Sequence, residues 1–499
     1  MFRKYILVTI VFALTFVCFG QSFHNNIKKN LVIPTSYDTY VSFLNEVSGS
    51  SDIINLGWMA KSYDGRQIPY VVISLKEISN SDNVKFLIFA SQHGNEPSGK
   101  EALLLLVKEI WEGKHIDLLK NVDLIIVPQV NPDGGEKGHR LSANNSDLNR
   151  THLNLKETET EGLHRLFYKY LPHATLDIHE TYFHNSNWYE YGFIKTYDQQ
   201  MGVLNNPNID QSIIDFQNNV SLQEVGKFVE QNGFSFHNYI LGNVYKGQPI
   251  RHSNTGIYDG RQSFGILNTL SFIVEGENGK ILYDRLNERR DGQYYNILGL
   301  LKHISQHSGE IKTLVDNARQ KLLNAHEGET VSIRSEYKLG KETIDILLHD
   351  LIKKKDTLIN YPYESEVVST LNVKKPKGYL IEKNDFDLLR LLDKHNIKFS
   401  PYFSIDDEIV YQYCMTKNET EVDGDRYFSV KKNEVTGEIN KVDYYFIPTK
   451  QLASNLIVNI FEPQSSQGVD SKYGILENRR LNYFLNSRGE FSILRVESK

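Results

Sequence analysis

Cysteine is nearly absent from the 499 residues: there are two, Cys18 and Cys414. Cys18 lies in an apolar N-terminal segment, so removal of that segment leaves Cys414 alone, and a lone cysteine forms no internal disulfide. A thiolate-rich metal site such as Cys₄ is excluded on the same ground. The folded chain has to be held together by its cores. A basic excess is also missing, because 56 Lys and Arg face 62 Asp and Glu for a net charge of −6. That balance offers no patch of the kind nucleic acid requires. Beyond the N-terminus no stretch approaches ~20 consecutive apolar residues, so no further membrane span is expected. Low-complexity tracts are lacking too.

What is present is a globular composition, 40% apolar and 24% charged, in a chain long enough for two domains. The opening "MFRKYILVTIVFALTFVCFG" combines Arg3 and Lys4, an apolar run from Tyr5 to Phe19, and the small Gly20. That three-part pattern predicts a signal peptide over residues 1–20 and an exported protein, periplasmic or extracellular. Thr15, Phe16 and Val17 are not the small-residue context that lipid attachment at Cys18 would need.

Four short apolar runs rich in β-formers follow: "VKFLIFA" (84–90), "VDLIIVP" (122–128), "ATLDI" (174–178) and "LSFIV" (270–274). Continuous apolarity predicts strands covered on both faces, hence an α/β fold with a mixed, largely parallel sheet flanked by helices. Between the first two runs, "PSGKEALLLLVKEIW" predicts a helix, with Ser98 and Glu101 as a capping box. A helix over 309–326 closes a first domain spanning 30–326, and "EGETVSIRSEYKLGKET" (327–343) reads as a linker. A smaller C-terminal α/β domain, 330–499, contains two strand–loop–helix units, "KGYLIEKNDFDLLRLLDKHNI" and "DYYFIPTKQLASNLIVNIFEP". Nothing in it names a chemistry, and it reads as an accessory domain.

Each of the four runs ends in polar residues: "SQHGNE", "QVNPDGGEKGHRLSANNSDLNR", "HETY" and "EGEN". Ligands of open α/β sheets sit beyond the carboxyl ends of the strands, so these groups can converge. His93, Glu96 and His179 form a two-histidine, one-glutamate set that suits one zinc ion and leaves a position for water. Glu275 is placed to act as general base on that water. Glu277 stands two residues beyond and faces the same side of an extended strand. His139, His152, His173 and His184 are rival ligands without a motif.

These motifs resemble the zinc carboxypeptidase family, the carboxypeptidase A-like metallopeptidases. The matching elements are His93-Gly-Asn-Glu96, "NPDG" (131–134), Arg140, "DLNR" (147–150), "DIHE" (177–180), "GIYDG" (256–260) and "SFIVE" (271–275), in family order. The resemblance implies metal ligands His93, Glu96 and His179, with Glu275 as the base. It implies Arg140 as the cation that stabilises the developing oxyanion. Asn149 and Arg150 become the pair that grips a substrate's terminal carboxylate, a task suited to arginine's planar fork. Tyr258 becomes the residue that closes over the bound end, and Asp147 the carboxylate that orients His93.

The implied activity is hydrolysis of the C-terminal bond of peptides bearing a free carboxylate. Peptidoglycan stem peptides, N-acyl amino acids and an inactive peptide-binding role are the alternatives. Three departures from the family stand out. The interval from Tyr258 to Glu275 is short, Asn95 replaces an arginine, and the segment between the second and third ligand groups is reduced. Arg261, inside the short interval, is either a surface cation or one that favours an acidic C-terminal residue.

Overall fold

The computed structural model describes residues 33–182, 187–242, 249–278, 283–403, 407–422, 425–436, 443–467, 484–486 and 488–499. The expected signal peptide and His184 lie outside the described residues. Among those described, no helix is long and apolar enough to cross a membrane.

The main sheet has eight strands. Their order is β1 (Ile54–Lys61), β2 (Gln67–Ile73), β4 (Val122–Val127), β3 (Val84–Ala90), β5 (Ala174–Thr181), β11 (Leu270–Glu277), β7 (Gln199–Gly202) and β8 (Phe236–Asn238). The four runs picked out by continuous apolarity are its centre, β4-β3-β5-β11, and every pair among them is parallel. Both faces are covered. Phe86, Ile88 and Ala90 enter one core and Leu87 and Phe89 the other, the period-two alternation of an extended chain.

The first core is shared with helices α1 (Tyr37–Gly49), α2 (Ser98–Trp111), α4 (Leu222–Gln231), α5 (Leu286–Gln306) and α6 (Ser308–Leu323). The second core packs α3 (Thr158–Tyr170) against the sheet. Stacked Phe167 and Phe264 lie at its centre, with ring centroids 4.4 Å apart.

A five-stranded sheet runs β6 (Phe193–Lys195), β13 (Thr343–Asp350), β14 (Lys355–Glu364), β10 (Ile250–His252) and β9 (Ile240–Gly242). The hairpin β13–β14 therefore closes on strands that precede it by more than a hundred residues of chain, β6 by about 150. The stretch read as a linker is a strand instead. It forms β12 (Thr330–Lys338), paired with β15 (Glu366–Lys374), and its Val331 and Ile333 are buried with Val458. Its polar letters alternate with apolar ones, and the apolar face has a partner that lies distant in sequence.

The C-terminal region is a six-stranded antiparallel sheet. The order is β17 (Ser400–Pro401), β20 (Tyr444–Pro448), β16 (Gly378–Glu382), β21 (Glu490–Ser498), β18 (Glu408–Val422) and β19 (Asp425–Glu434). The two strand–loop–helix units are both present, as β16 with α7 (Phe386–Lys394) and β20 with α8 (Ser454–Phe461), and β16 pairs with β20. Leu388, Leu391, Ile457 and Phe461 join the second core of the main sheet, so the C-terminal region packs against the main sheet.

Candidate active site

The site lies beyond the carboxyl ends of β3, β5 and β11. After β3 the chain turns at Ser91, whose φ of 55° is unusual for a residue with a side chain. Ser91 Oγ donates to Glu96 O at 3.0 Å and closes the short loop that carries His93. Gly94 seats this loop on the NPDG turn. A Cβ at Gly94 would lie 2.0 Å from the carbonyl carbon of Gly134. Asn131 caps the helix Pro132–Lys137 through Gly134 N and donates from Nδ2 to Gln92 O at 3.1 Å.

The helix α2 starts without the expected capping box. Ser98 lies inside the helix, and its backbone N–H donates to Glu180 Oε2 at 3.3 Å. Glu101 instead accepts from the N–H and hydroxyl of Thr35 at 2.8 and 2.7 Å. A buried carboxylate from β5 does the work that a local side chain was expected to do, and Arg289 pairs with it at 2.6 Å.

Three ligand atoms meet. His93 Nδ1 is 2.8 Å from Glu96 Oε1, His179 Nδ1 is 3.0 Å from Glu96 Oε2, and the two Nδ1 atoms are 3.1 Å apart. The far nitrogens are fixed by carboxylates: His93 Nε2 donates to Asp147 at 3.0 Å and His179 Nε2 to Asp177 at 2.9 Å. With hydrogens on Nε2, both Nδ1 atoms present lone pairs, and no donor lies among the three converging groups. Such a triangle calls for a cation. Its edges are a little shorter than the roughly 3.3–3.6 Å between tetrahedral ligands bound at ~2.0–2.2 Å, so an ion would spread them slightly, and the histidine–carboxylate pairs are the usual second layer of such a site. The residues present therefore fit one zinc ion.

Without an ion, protons on the histidines meet the same need for positive charge. Burial would push His179 down, yet the charges of Asp177 and Glu96 raise it well above the usual histidine range. Burial alone would raise Glu96 and Asp147, but the histidines hold both far below the usual carboxylate range. The pocket attracts positive charge.

Glu275 stands directly opposite His179 in the β5–β11 register. It is buried, accepts from Thr181 Oγ1 at 2.9 Å, and burial raises its pKa. The Tyr239 hydroxyl also bonds to it, and burial together with the Glu275 charge raises that phenol well above its ordinary value. Glu277 is engaged by Arg285, which separates it from the cleft. A cleft of about 190 Å³ is lined by His93, Glu96, Arg140, Arg150, His179 and Glu275, with Asn149, Tyr239 and Arg261 among the remaining walls.

Arg140 donates to Glu96 Oε1 at 3.3 Å and to Asp147 Oδ2 at 3.0 Å, half-exposed at the rim. Asn149 is turned inward. Its Oδ1 accepts from Gly260 N at 2.9 Å, and its Nδ2 lies 3.1 Å from His179 Nε2. Arg150 donates to Asn149 O at 2.8 Å, with its guanidinium 5.5 Å from the centre of the Tyr258 ring. Tyr258 itself does not line the cleft. Its ring packs on the second core beneath Arg150.

Arg261 is not a surface residue. It is 1% exposed, donates to Val203 O at 3.0 Å and to Asn254 O at 3.1 Å, and bonds Ser253. Among the rival histidines, His152 is hydrogen-bonded to His164 and Gln92, His173 accepts from Lys85 N, and His139 is exposed.

Sequence reasoning missed Asp177, Thr181 and Tyr239. Asp177 had a readable signal, since two residues along a strand from His179 places it on the same face. Tyr239 had none, because only the pairing of β8 with β7, and of β7 with β11, at the edge of the main sheet brings it to Glu275.

Residues 40–188 match the family model described as zinc carboxypeptidase. The chain is 24% identical over 492 residues to carboxypeptidase 2 of Trichophyton rubrum, covering 93% of this chain and 87% of that one. Over 128 residues it is 33% identical to carboxypeptidase SOL1 of Arabidopsis thaliana, 23% of this chain and 26% of that one. The crystal structure of a metallo-carboxypeptidase from Burkholderia cenocepacia aligns with a TM-score of 0.44 at 17% identity, covering 55% of this chain and 70% of that chain. The ligand triangle thus falls inside the stretch that matches the zinc carboxypeptidase family, and over nearly its full length the chain is similar to a fungal carboxypeptidase.

Proposed function

We propose that the protein is an exported zinc-dependent exopeptidase that removes C-terminal residues from peptides, with Glu275 as general base. The observation that carries this reading is the lone-pair triangle of His93, Glu96 and His179 facing Glu275 across two adjacent parallel strands. When bound, the zinc ion would acidify a water and polarise the scissile carbonyl.

Glu275 takes the proton of the attacking water on a carboxylate oxygen and passes it to the leaving amine. Its raised pKa suits both halves of that transfer, and the hydroxyls of Thr181 and Tyr239 fix its orientation. Arg140, at the rim beside Glu96, supplies the positive charge that meets the developing oxyanion.

Arg150 grips the terminal carboxylate. The Asn149 amide is already engaged behind His179, so the arginine fork carries most of this recognition, and Tyr258 beneath it sets its orientation. Export rests on the signal pattern of residues 1–20.

The test is mass spectrometry of a mixed peptide library incubated with zinc-loaded and chelated protein. Stepwise loss of single C-terminal residues in the zinc-loaded sample alone is the expected result. An intact library would overturn the peptide reading and bring peptidoglycan fragments or N-acyl amino acids forward.

A further inference from the structure

Outside the cleft, a second group of metal-type ligands lies between α4 and α5. His303 sits in the last turn of α5 and His307 caps that helix, so a spacing of four puts both rings on one face. Glu224 comes from the first turn of α4. Its Oε2 is 2.8 Å from His303 Nδ1 and 3.0 Å from His307 Nε2, and the three ligand atoms all lie within 4.8 Å of one another.

The opposite nitrogens are also held. His303 Nε2 is 3.0 Å from Ser221 Oγ, and His307 Nδ1 is 3.3 Å from Glu310 Oε2. This repeats the feature seen in the cleft, where each histidine is oriented through its far nitrogen. Phe216 backs both rings, with centroids 5.6 and 5.9 Å away.

The backbone here is unusual. Gln217–Ser221 is wound as a π-helix leading into α4. Such insertions are rare and concentrate at functional sites. This one delivers Ser221 and Glu224 to the face of α5. His303 is 1% exposed, His307 19% and Glu224 41%, so an ion held here would keep an open side for water.

We propose that Glu224, His303 and His307 bind a second divalent metal ion, zinc or a cation of similar preference, that ties α4 to the end of α5. Imidazole with a single carboxylate suits such ions over magnesium or calcium. The cleft contacts of α5, from Gln293 to His179 O at 2.7 Å and from Arg289 to Glu180, lie on earlier turns of the helix, away from this site. The site does not depend on how the cleft is read.

The test measures bound zinc per chain in full-length protein, stripped and reloaded, for wild type, Glu224→Gln and His307→Gln. The expected result is one zinc fewer in each variant than in wild type, peptidase activity unchanged, and loss of part of the zinc-dependent rise in melting temperature. The same difference is expected in a Glu96→Gln background, where the cleft ligands are disabled. Equal zinc content in wild type and Glu224→Gln, with both folded by circular dichroism, would overturn the proposal whatever number the cleft binds.

Discussion

At the scale of the residue, the surroundings of Glu275, the proposed base, make its chemistry adjustable. Burial raises its pKa while the Thr181 hydroxyl, at 2.9 Å, favours the charged form. Thr181→Val keeps the shape and removes that donor. The carboxylate then protonates at higher pH, so the acidic limb of the kcat/KM profile should move upward in pH. A profile that stays in place would show that Thr181 does not touch the working base. The residues that share the cleft, from His93 to Glu275, were legible because each sits at a strand end beside a motif. Tyr239 and the inward turn of Asn149 were not, since both depend on loops whose paths no local pattern dictates. Tyr258 was legible as a neighbour of the site, yet its ring serves Arg150 from below and leaves the cleft to others.

At the scale of the element, loop contacts hold the candidate metal ligands in place. Gly94 packs so closely on Gly134 that a methyl group has no room against the backbone. Gly94→Ala should displace the His93–Glu96 loop, cost about 1–3 kcal/mol of stability as overpacking does, and weaken zinc binding. Thermal melts with and without zinc check this, and unchanged melts would refute the seating of the loop. The central strands were legible, since continuous apolar runs that long have few other uses. The capping box was not. Ser98 and Glu101 have the right letters at the right spacing, but Glu180 and Thr35 compete for the same groups with buried, better-placed partners. Likewise β12 resembled a linker because its partner strand lies some thirty residues on.

At the scale of the whole molecule, the folded unit that carries the cleft does not end near residue 326. Ile346, Leu348 and Tyr361 of the β13–β14 hairpin are buried with Trp188, Ile240 and Ile250, and the C-terminal helices close the second core. A chain cut after residue 326 should therefore fail to fold, giving insoluble protein or no cooperative melt; a soluble truncation with a sharp transition would contradict this. Acid should unfold the intact chain early. Burial pushes His173 down to about 3 and His252 and His395 to about 4. The unfolded chain takes up protons near pH 6.5 that these folded sites refuse. Stability is then complete above that pH and falls on acidification, by about 1.4 kcal/mol per pH unit for each histidine. Melting temperatures at pH 7, 6 and 5 test this, and a flat series would contradict it.

The most direct test of the central claim is turnover of a peptide with a free C-terminus by zinc-loaded wild type and zinc-loaded Glu275→Gln. The account predicts that the variant retains its zinc and loses about 10²–10⁴-fold in rate. A variant with its zinc in place and a rate within a few-fold of wild type would contradict it.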